Sequence, residues 1–195
     1  FSSHLLADAV RGGDVLLSSN ETLGESTFDS TWRSTYGTIN TLGASSFNVV
    51  AGSTADTNTN SSSQTYVSWV WASPTTSSSN PNGSITSTVR ANASAGFSIV
   101  GFNPGSTTGN QTVGHGLGVA PSLIILKNRD SSANWLVYHS AVSTTVRKLL
   151  RLNLTDALVT DSFDVWGSAL PSSSTFGVNV TISAAQNNNH VAYCF

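Results

Sequence analysis

Charge is the scarcest commodity in this sequence. Asp, Glu, Lys and Arg together make up 9% of its 195 residues, where a soluble globular protein ordinarily carries about a quarter. With eight basic and ten acidic residues the formal net charge is −2, which supplies no electrostatic footprint for nucleic acid. The one local concentration, Arg147-Lys148 and Arg151, is interleaved with Leu149, Leu150 and Leu152 and reads as solvated neighbours on a strand. There is one cysteine, Cys194, so an intrachain disulfide is excluded and stability rests on packing and association. Methionine is absent and the chain starts with Phe, as expected of a processed or partial polypeptide. No apolar stretch approaches about 18 residues and no secretory h-region is present, so no membrane insertion is expected.

Ser, Thr, Asn and Gly take the place of charge. Hydroxyls and amides then keep the surface wet, and contact surfaces avoid the entropy and desolvation costs of long ionic side chains. The 38% hydrophobic fraction, with five Trp and eight Phe, is ample for a core and argues against disorder.

The apolar residues alternate with period two. In Thr65-Tyr66-Val67-Ser68-Trp69-Val70-Trp71 the alternation puts Thr65, Val67, Trp69 and Trp71 on one face. Further strands are expected at Phe97–Phe102, Ser122–Lys127, Trp135–His139, Phe176–Ile182 and Val191–Phe195. Leu123 to Leu126 is apolar enough for burial on both faces. Turn-formers separate them, such as Arg11-Gly12-Gly13-Asp14, Asn103-Pro104-Gly105 and Asn187-Asn188-Asn189. No window carries a 3.6-residue period. Short strands with regular turn signals predict an all-β fold of antiparallel sandwiches.

One pattern occurs twice. Residues 8–71 run Asp8-Ala9-Val10, Leu16-Leu17, Ser26-Thr27-Phe28-Asp29 and Phe47-Asn48-Val49, closing on Thr65 to Trp71. Residues 140–195 run Ser140-Ala141-Val142, Leu149-Leu150, Asp161-Ser162-Phe163-Asp164 and Phe176-Gly177-Val178, closing on His190 to Phe195. Only the second copy has a strand-rich lead, Gly96 to Asn128. The expected organisation is two jelly-roll-like β-sandwich modules in tandem. The first, residues 1–72, is an incomplete late part of a repeat; residues 73–83 are a linker; residues 84–195 form the second module. Expected cores are Trp69, Trp71 and Phe47 in the first, and Tyr193, Phe195, Ile124, Leu126 and Phe176 in the second. Lacking its lead, the first module needs completion by a neighbouring chain, the second module or upstream residues. The alternative is one continuous sandwich, with chance similarity in a Ser/Thr-rich chain.

Few residues invite a chemical role. His115, between Gly114 and Gly116, shows no ligand spacing with His4, His139 or His190, and a zinc site needs three or four ligands; a structural turn before a buried strand is the better reading. The surrounding glycines lack the Gly-Lys-Ser/Thr ending of a phosphate loop, and no Gly-x-Ser-x-Gly elbow occurs. No catalytic, cofactor or metal residues are therefore assigned. Sugar sites pair aromatic faces with carboxylates and amides. Trp166 with Asp161 and Asp164 is the candidate glycan-binding set, and a surface turn with a tucked Trp is the bland reading. Asn20, Asn60, Asn82, Asn92, Asn110, Asn153 and Asn179 head Asn-x-Ser/Thr sequons, relevant only where a glycosylating host makes the protein.

The ordered set Gly83–Val89, Ala95–Val100, Thr112–Pro121, Ile124–Asp130, Asn134–His139 and Val191–Phe195 resembles an uncharacterised repeat module of large tailed-bacteriophage structural proteins, often found beside concanavalin-like lectin modules. The likeness covers residues 83–195 well and residues 4–71 more loosely. It implies a non-enzymatic virion component, a tail fibre, spike or capsid-surface protein, placed on the virion surface or outside the cell. The expected partners are copies of itself or other structural subunits, with host-surface glycans as the competing class.

Cys194 stands between Tyr193 and Phe195 where the first copy has Val70, so its environment is expected to be structural. A thiol reagent should label it slowly in the native protein and quickly after denaturation; rapid native labelling would contradict a buried thiol.

Overall fold

The computed structural model describes residues 3–43, 45–55 and 58–195, leaving residues 1, 2, 44, 56 and 57 of the expected N-terminal module outside. In chain order the strands are β1 (Leu5–Asp8), β2 (Gly12–Ser18), β3 (Thr38–Leu42), β4 (Phe47–Val50), β5 (Ser78–Asn80), β6 (Ser87–Asn92), β7 (Phe97–Phe102), β8 (Gly109–Gly114), β9 (Leu123–Asn128), β10 (Leu136–His139), β11 (Lys148–Arg151), β12 (Val159–Thr160), β13 (Thr175–Val180) and β14 (His190–Cys194). Among the described residues one α-helix, α1 (Ser30–Tyr36), precedes β3, and two short 3-10 helices span Glu25–Phe28 and Ala93–Ala95; Asp29 caps α1 by accepting from the Trp32 amide at 2.8 Å. Helix covers 7% of the residues and strand 37%, and the sheets are antiparallel, so the fold is all-β.

The centre is an eight-stranded sheet in the order β12-β11-β10-β9-β14-β7-β6-β5. β14 lies inside it, paired antiparallel to β7 on one edge (Tyr193 opposite Ile99) and to β9 on the other (Tyr193 opposite Ile125). Alternation then sorts the side chains onto two faces. On one face Val100, Phe102, Ile124, Leu126, Ala192 and Cys194 pack against Val113, Phe176, Val178 and Val180 of the two-stranded β8–β13 sheet. Buried serines lace these layers: Ser87 Oγ donates to the Gly114 carbonyl at 2.7 Å and Ser98 Oγ to that of His115 at 2.6 Å. The expected second-module core residues Tyr193, Ile124, Leu126 and Phe176 are buried, and so is Cys194.

The opposite face carries Phe97, Ile99, Val191, Tyr193 and Trp135, and Leu17 of the β1–β2 hairpin packs among them. The β1–β2 hairpin is thus seated on this face of the eight-stranded sheet. The approach is close enough that a Cβ on Gly101 would come within 3.0 Å of Val10 Cγ1. Around this contact the chain is stitched by polar groups. Trp135 Nε1 donates to the Ser18 and Glu21 carbonyls at 2.9 and 3.1 Å, and Lys127 Nζ to those of Thr22 and Ala133 at 2.8 and 2.9 Å. Burial lowers the Lys127 ammonium to about 8.

At the heart of the dock sits a buried ion pair. Asp8 pairs with Arg11 Nε and accepts from Tyr193 Oη at 2.6 Å, while Arg11 Nη1 reaches Glu25 at 3.1 Å and Glu25 pairs with Arg129 at 2.7 Å. Burial works to raise the Asp8 carboxyl, but the Arg11 charge and the hydrogen bonds from Tyr193 and Arg11 together hold it below the usual range. The same burial keeps the Tyr193 phenol protonated.

Two expectations need correction. The core expected on Trp69, Trp71 and Phe47 does not form: they are 76%, 52% and 39% exposed. In residues 3–72 the strands form two hairpins, β1–β2 and β3–β4, and Thr65 to Trp71 joins no sheet. Residues 73–83 are not a free linker either, because they contain β5, which pairs with β6 through Ser78–Val89. Period-two patterning specified faces without specifying neighbours.

β1–β2 (Leu6 opposite Leu17) and β10–β11 (Val137 opposite Leu150) are both antiparallel hairpins. β10 pairs with β9, β13 with β8, and β14 with both β7 and β9, so each of these strands has a partner between Gly96 and Asn128.

Removing one member of a buried ion pair strands the other. Asp8→Ala should therefore cost about 3–5 kcal/mol in denaturant unfolding, and Tyr193→Phe about 1–3 kcal/mol. Losses under about 1 kcal/mol for Asp8→Ala would show that the dock does not depend on this pair.

Candidate functional site

The structure separates the candidate glycan residues. Trp166 is fully buried. Its Nε1 donates to the Lys148 carbonyl at 3.0 Å, its amide to that of Val146 at 2.9 Å, and its ring meets Tyr138 edge-on at 5.9 Å. The chain passes so near β13 that a Cβ on Gly177 would lie 2.2 Å from the Trp166 carbonyl oxygen, which only glycine tolerates. Trp166 is a core residue and offers no ring face to a sugar. Asp164 is held by Arg147 Nε at 2.7 Å on the surface. Asp161 accepts from the Phe163 amide at 3.1 Å, leaving Phe163 as the exposed aromatic of this loop.

Asp161 does line a groove of about 340 Å³, together with Asn128, Asn134, Arg151, Thr181 and Ile182. Arg151 Nη1 pairs with Asp156 at 2.8 Å, and Arg151 Nε is buried without a hydrogen-bond partner among the described residues. Among the described residues it is the groove's one buried side-chain donor without a partner. The amide oxygens are already engaged: Asn128 Oδ1 accepts from the Asp130 and Ser131 amides, and Asn134 Oδ1 from Asn153. No aromatic ring lines the groove, so it can bond hydroxyls at its rim but cannot stack a pyranose.

The buried histidines are structural. His115 Nδ1 accepts from the Leu117 amide and Nε2 donates to the Ser172 carbonyl, both at 3.2 Å. His190 Nε2 accepts from the Ala185 amide at 3.2 Å while Nδ1 donates to the Asn188 carbonyl at 2.9 Å, and the ring stacks on Phe102 at 5.2 Å. Each ring is thereby locked in a neutral tautomer. Burial lowers His115, and lowers His190 to about 4. Among the described residues no three metal-ligating side chains cluster.

A different surface stands out. Tyr66, Val67, Trp69, Val70 and Trp71 are 52–76% exposed in one run of chain that belongs to no helix or strand. Trp71 anchors the end of the segment by stacking on Phe97 at 6.0 Å and meeting Phe195 edge-on at 5.5 Å. The backbone amides and carbonyls of residues 65–71 make no hydrogen bond among the described residues. Sequence reading placed these aromatics in a core; the signal for their exposure is the missing lead.

Across its whole length, residues 1–195, the sequence matches a family described as a domain of unknown function (DUF7483). The chain belongs to that family. No curated protein and no solved structure matches it. Within this DUF7483 domain, function must be read from its surfaces.

The histidine geometry sets an acid limit. Free histidine takes its proton near 6.5 and folded His190 only near 4. The unfolded chain therefore protonates first, and stability falls as pH drops from about 6.5 to about 4, by roughly 3 kcal/mol from this residue. Urea midpoints at pH 7 and pH 4.5 measure the loss. In His190→Gln the loss should shrink, and an undiminished loss would place its origin elsewhere.

Proposed function

We propose that this domain is a non-enzymatic structural module that assembles with copies of itself or with other structural subunits, as part of a virion surface (tail fibre, spike or capsid) or an extracellular fibre. One observation carries the reading: an exposed, backbone-unpaired apolar segment, residues 65–71, on a chain with little charge. Residues 57–89 contain no charged side chain at all. Natural edges are normally protected by charges, Pro or coverage, and exposed apolar patches of this kind mark interaction sites. Serine- and threonine-rich surfaces suit such packing because ordering them costs little side-chain entropy. The tandem reading belongs to the same proposal, residues 1–72 standing as the late part of a jelly-roll-like sandwich whose remaining strands come from a neighbour. The order of β1–β2 and β10–β11 in the two copies supports it.

Recognition of host glycans is the second reading, favoured by the groove at Asp161 and Arg151. The two separate experimentally. Light scattering across about 1–100 μM should show concentration-dependent assembly, the range in which modest interfaces associate. A glycan array should show no saturable binding. Binding abolished by Asp161→Ala, in a protein that stays monomeric at the highest concentration, would reverse the assignment. Trp166→Ala is unsuited to the comparison, because losing a buried Trp costs about 3–5 kcal/mol of fold stability.

A further inference from the structure

Residues 65–71 hold the place in the first copy that β14 holds in the second, with Trp69 and Trp71 standing where Tyr193 and Phe195 stand. β14 is paired on both edges and buried on both faces. Its counterpart lies outside every sheet, exposed and with no backbone hydrogen bond among the described residues. A strand of β-branched and aromatic residues has the composition of a sheet interior, and the same fold shows both its satisfied and its unsatisfied form.

The order of the side chains specifies the missing neighbour. Fold the segment antiparallel against an identical segment about a two-fold axis through Ser68. Val67 then faces Trp69, Tyr66 faces Val70, and Thr65 faces Trp71. Every facing pair joins a β-branched residue to an aromatic one, a combination that stabilises antiparallel pairs. A heterologous strand would have to reproduce that pattern, whereas a second copy has it already. With no charge between residues 57 and 89, two copies meet at this segment without local repulsion. A two-fold contact also closes on itself, giving a dimer rather than an open filament.

We propose that Thr65 to Trp71 is a self-pairing strand, which joins two copies of this chain as an antiparallel two-stranded ribbon with Ser68 on the dyad. Trp71, seated on Phe97 and Phe195, ties the ribbon to each sandwich. This inference rests on the assembly reading and names its surface.

The test uses the full chain and exploits its one native thiol, which is buried. In Ser68→Cys the two engineered sulfurs face each other across the ribbon, roughly 4.5–5.5 Å apart at Cα, so mild oxidation should give a disulfide-linked dimer on a non-reducing gel. Thr86→Cys, in a loop away from the segment, should stay monomeric. Val67→Lys with Trp69→Lys places Lys opposite Lys and should reduce the dimer fraction at least tenfold by light scattering. Val67→Lys with Trp69→Glu places Lys opposite Glu and should restore it. All variants are exposed-site changes, checked for an unchanged unfolding midpoint. Assembly that persists undiminished in the Lys–Lys variant overturns the self-pairing strand and leaves assembly standing. A monomer at every concentration overturns both.

Discussion

The molecule depends on a strand that can be stable only if covered on both sides. β14 presents Ala192 and Cys194 to one layer and Val191 and Tyr193 to the other, and its amides and carbonyls are committed to β7 and β9. A central strand of this kind cannot face water with either surface. The β8–β13 sheet covers one face, and the β1–β2 hairpin, about 175 residues earlier in the chain, covers the other. Tyr193 connects the two requirements. Its ring belongs to the apolar face and its hydroxyl reaches the Asp8–Arg11 pair, so seating the hairpin and satisfying the buried charges are one event. Pairing at such depth contributes more to the uniqueness of the dock than to its net energy, because desolvation offsets much of the attraction.

From that constraint the rest of the surface follows. The hairpin of the first copy is used as a lid for the second module, and the segment corresponding to β14 is left with no strands to enter. In the proposed tandem reading one repeat position stands in two states, embedded in β14 and bare in residues 65–71. The bare segment's composition excludes charge-guided recognition and favours backbone pairing with apolar contacts.

How much of this was legible in the sequence depended on whether the determining contacts were near or far along the chain. β7, β9, β10, β13 and β14 carry alternation or continuous apolar runs, which local patterning reveals. Cys194 was expected to be a buried or interface thiol because Val70 stands at its place in the first pattern, and it is buried. α1 was missed: seven residues give two turns, too few for a 3.6-residue period, although Asp29 ahead of Ser30-Thr31-Trp32 is a capping signal. Trp69 and Trp71 were assigned a core because alternation shows which side chains share a face but not whether a partner strand exists. Trp166 between acidic residues looks like a sugar site until Val146, Lys148 and Gly177 close over it. The Asp8–Arg11 spacing is visible locally, but Tyr193 lies 185 residues away, beyond any pattern within a window.

Backbone hydrogen exchange followed at two protein concentrations addresses the account most directly, since it reads the embedded and the bare forms of the same repeat position in one experiment. In dilute solution the amides of Val191 to Cys194 should exchange only through global unfolding while those of Tyr66 to Trp71 exchange without protection; at high concentration alternate amides of the second set, those directed at the partner strand, should become protected and the first set remain unchanged. Equal protection of both segments at every concentration, or a segment 66–71 that stays unprotected however concentrated the protein, would contradict it.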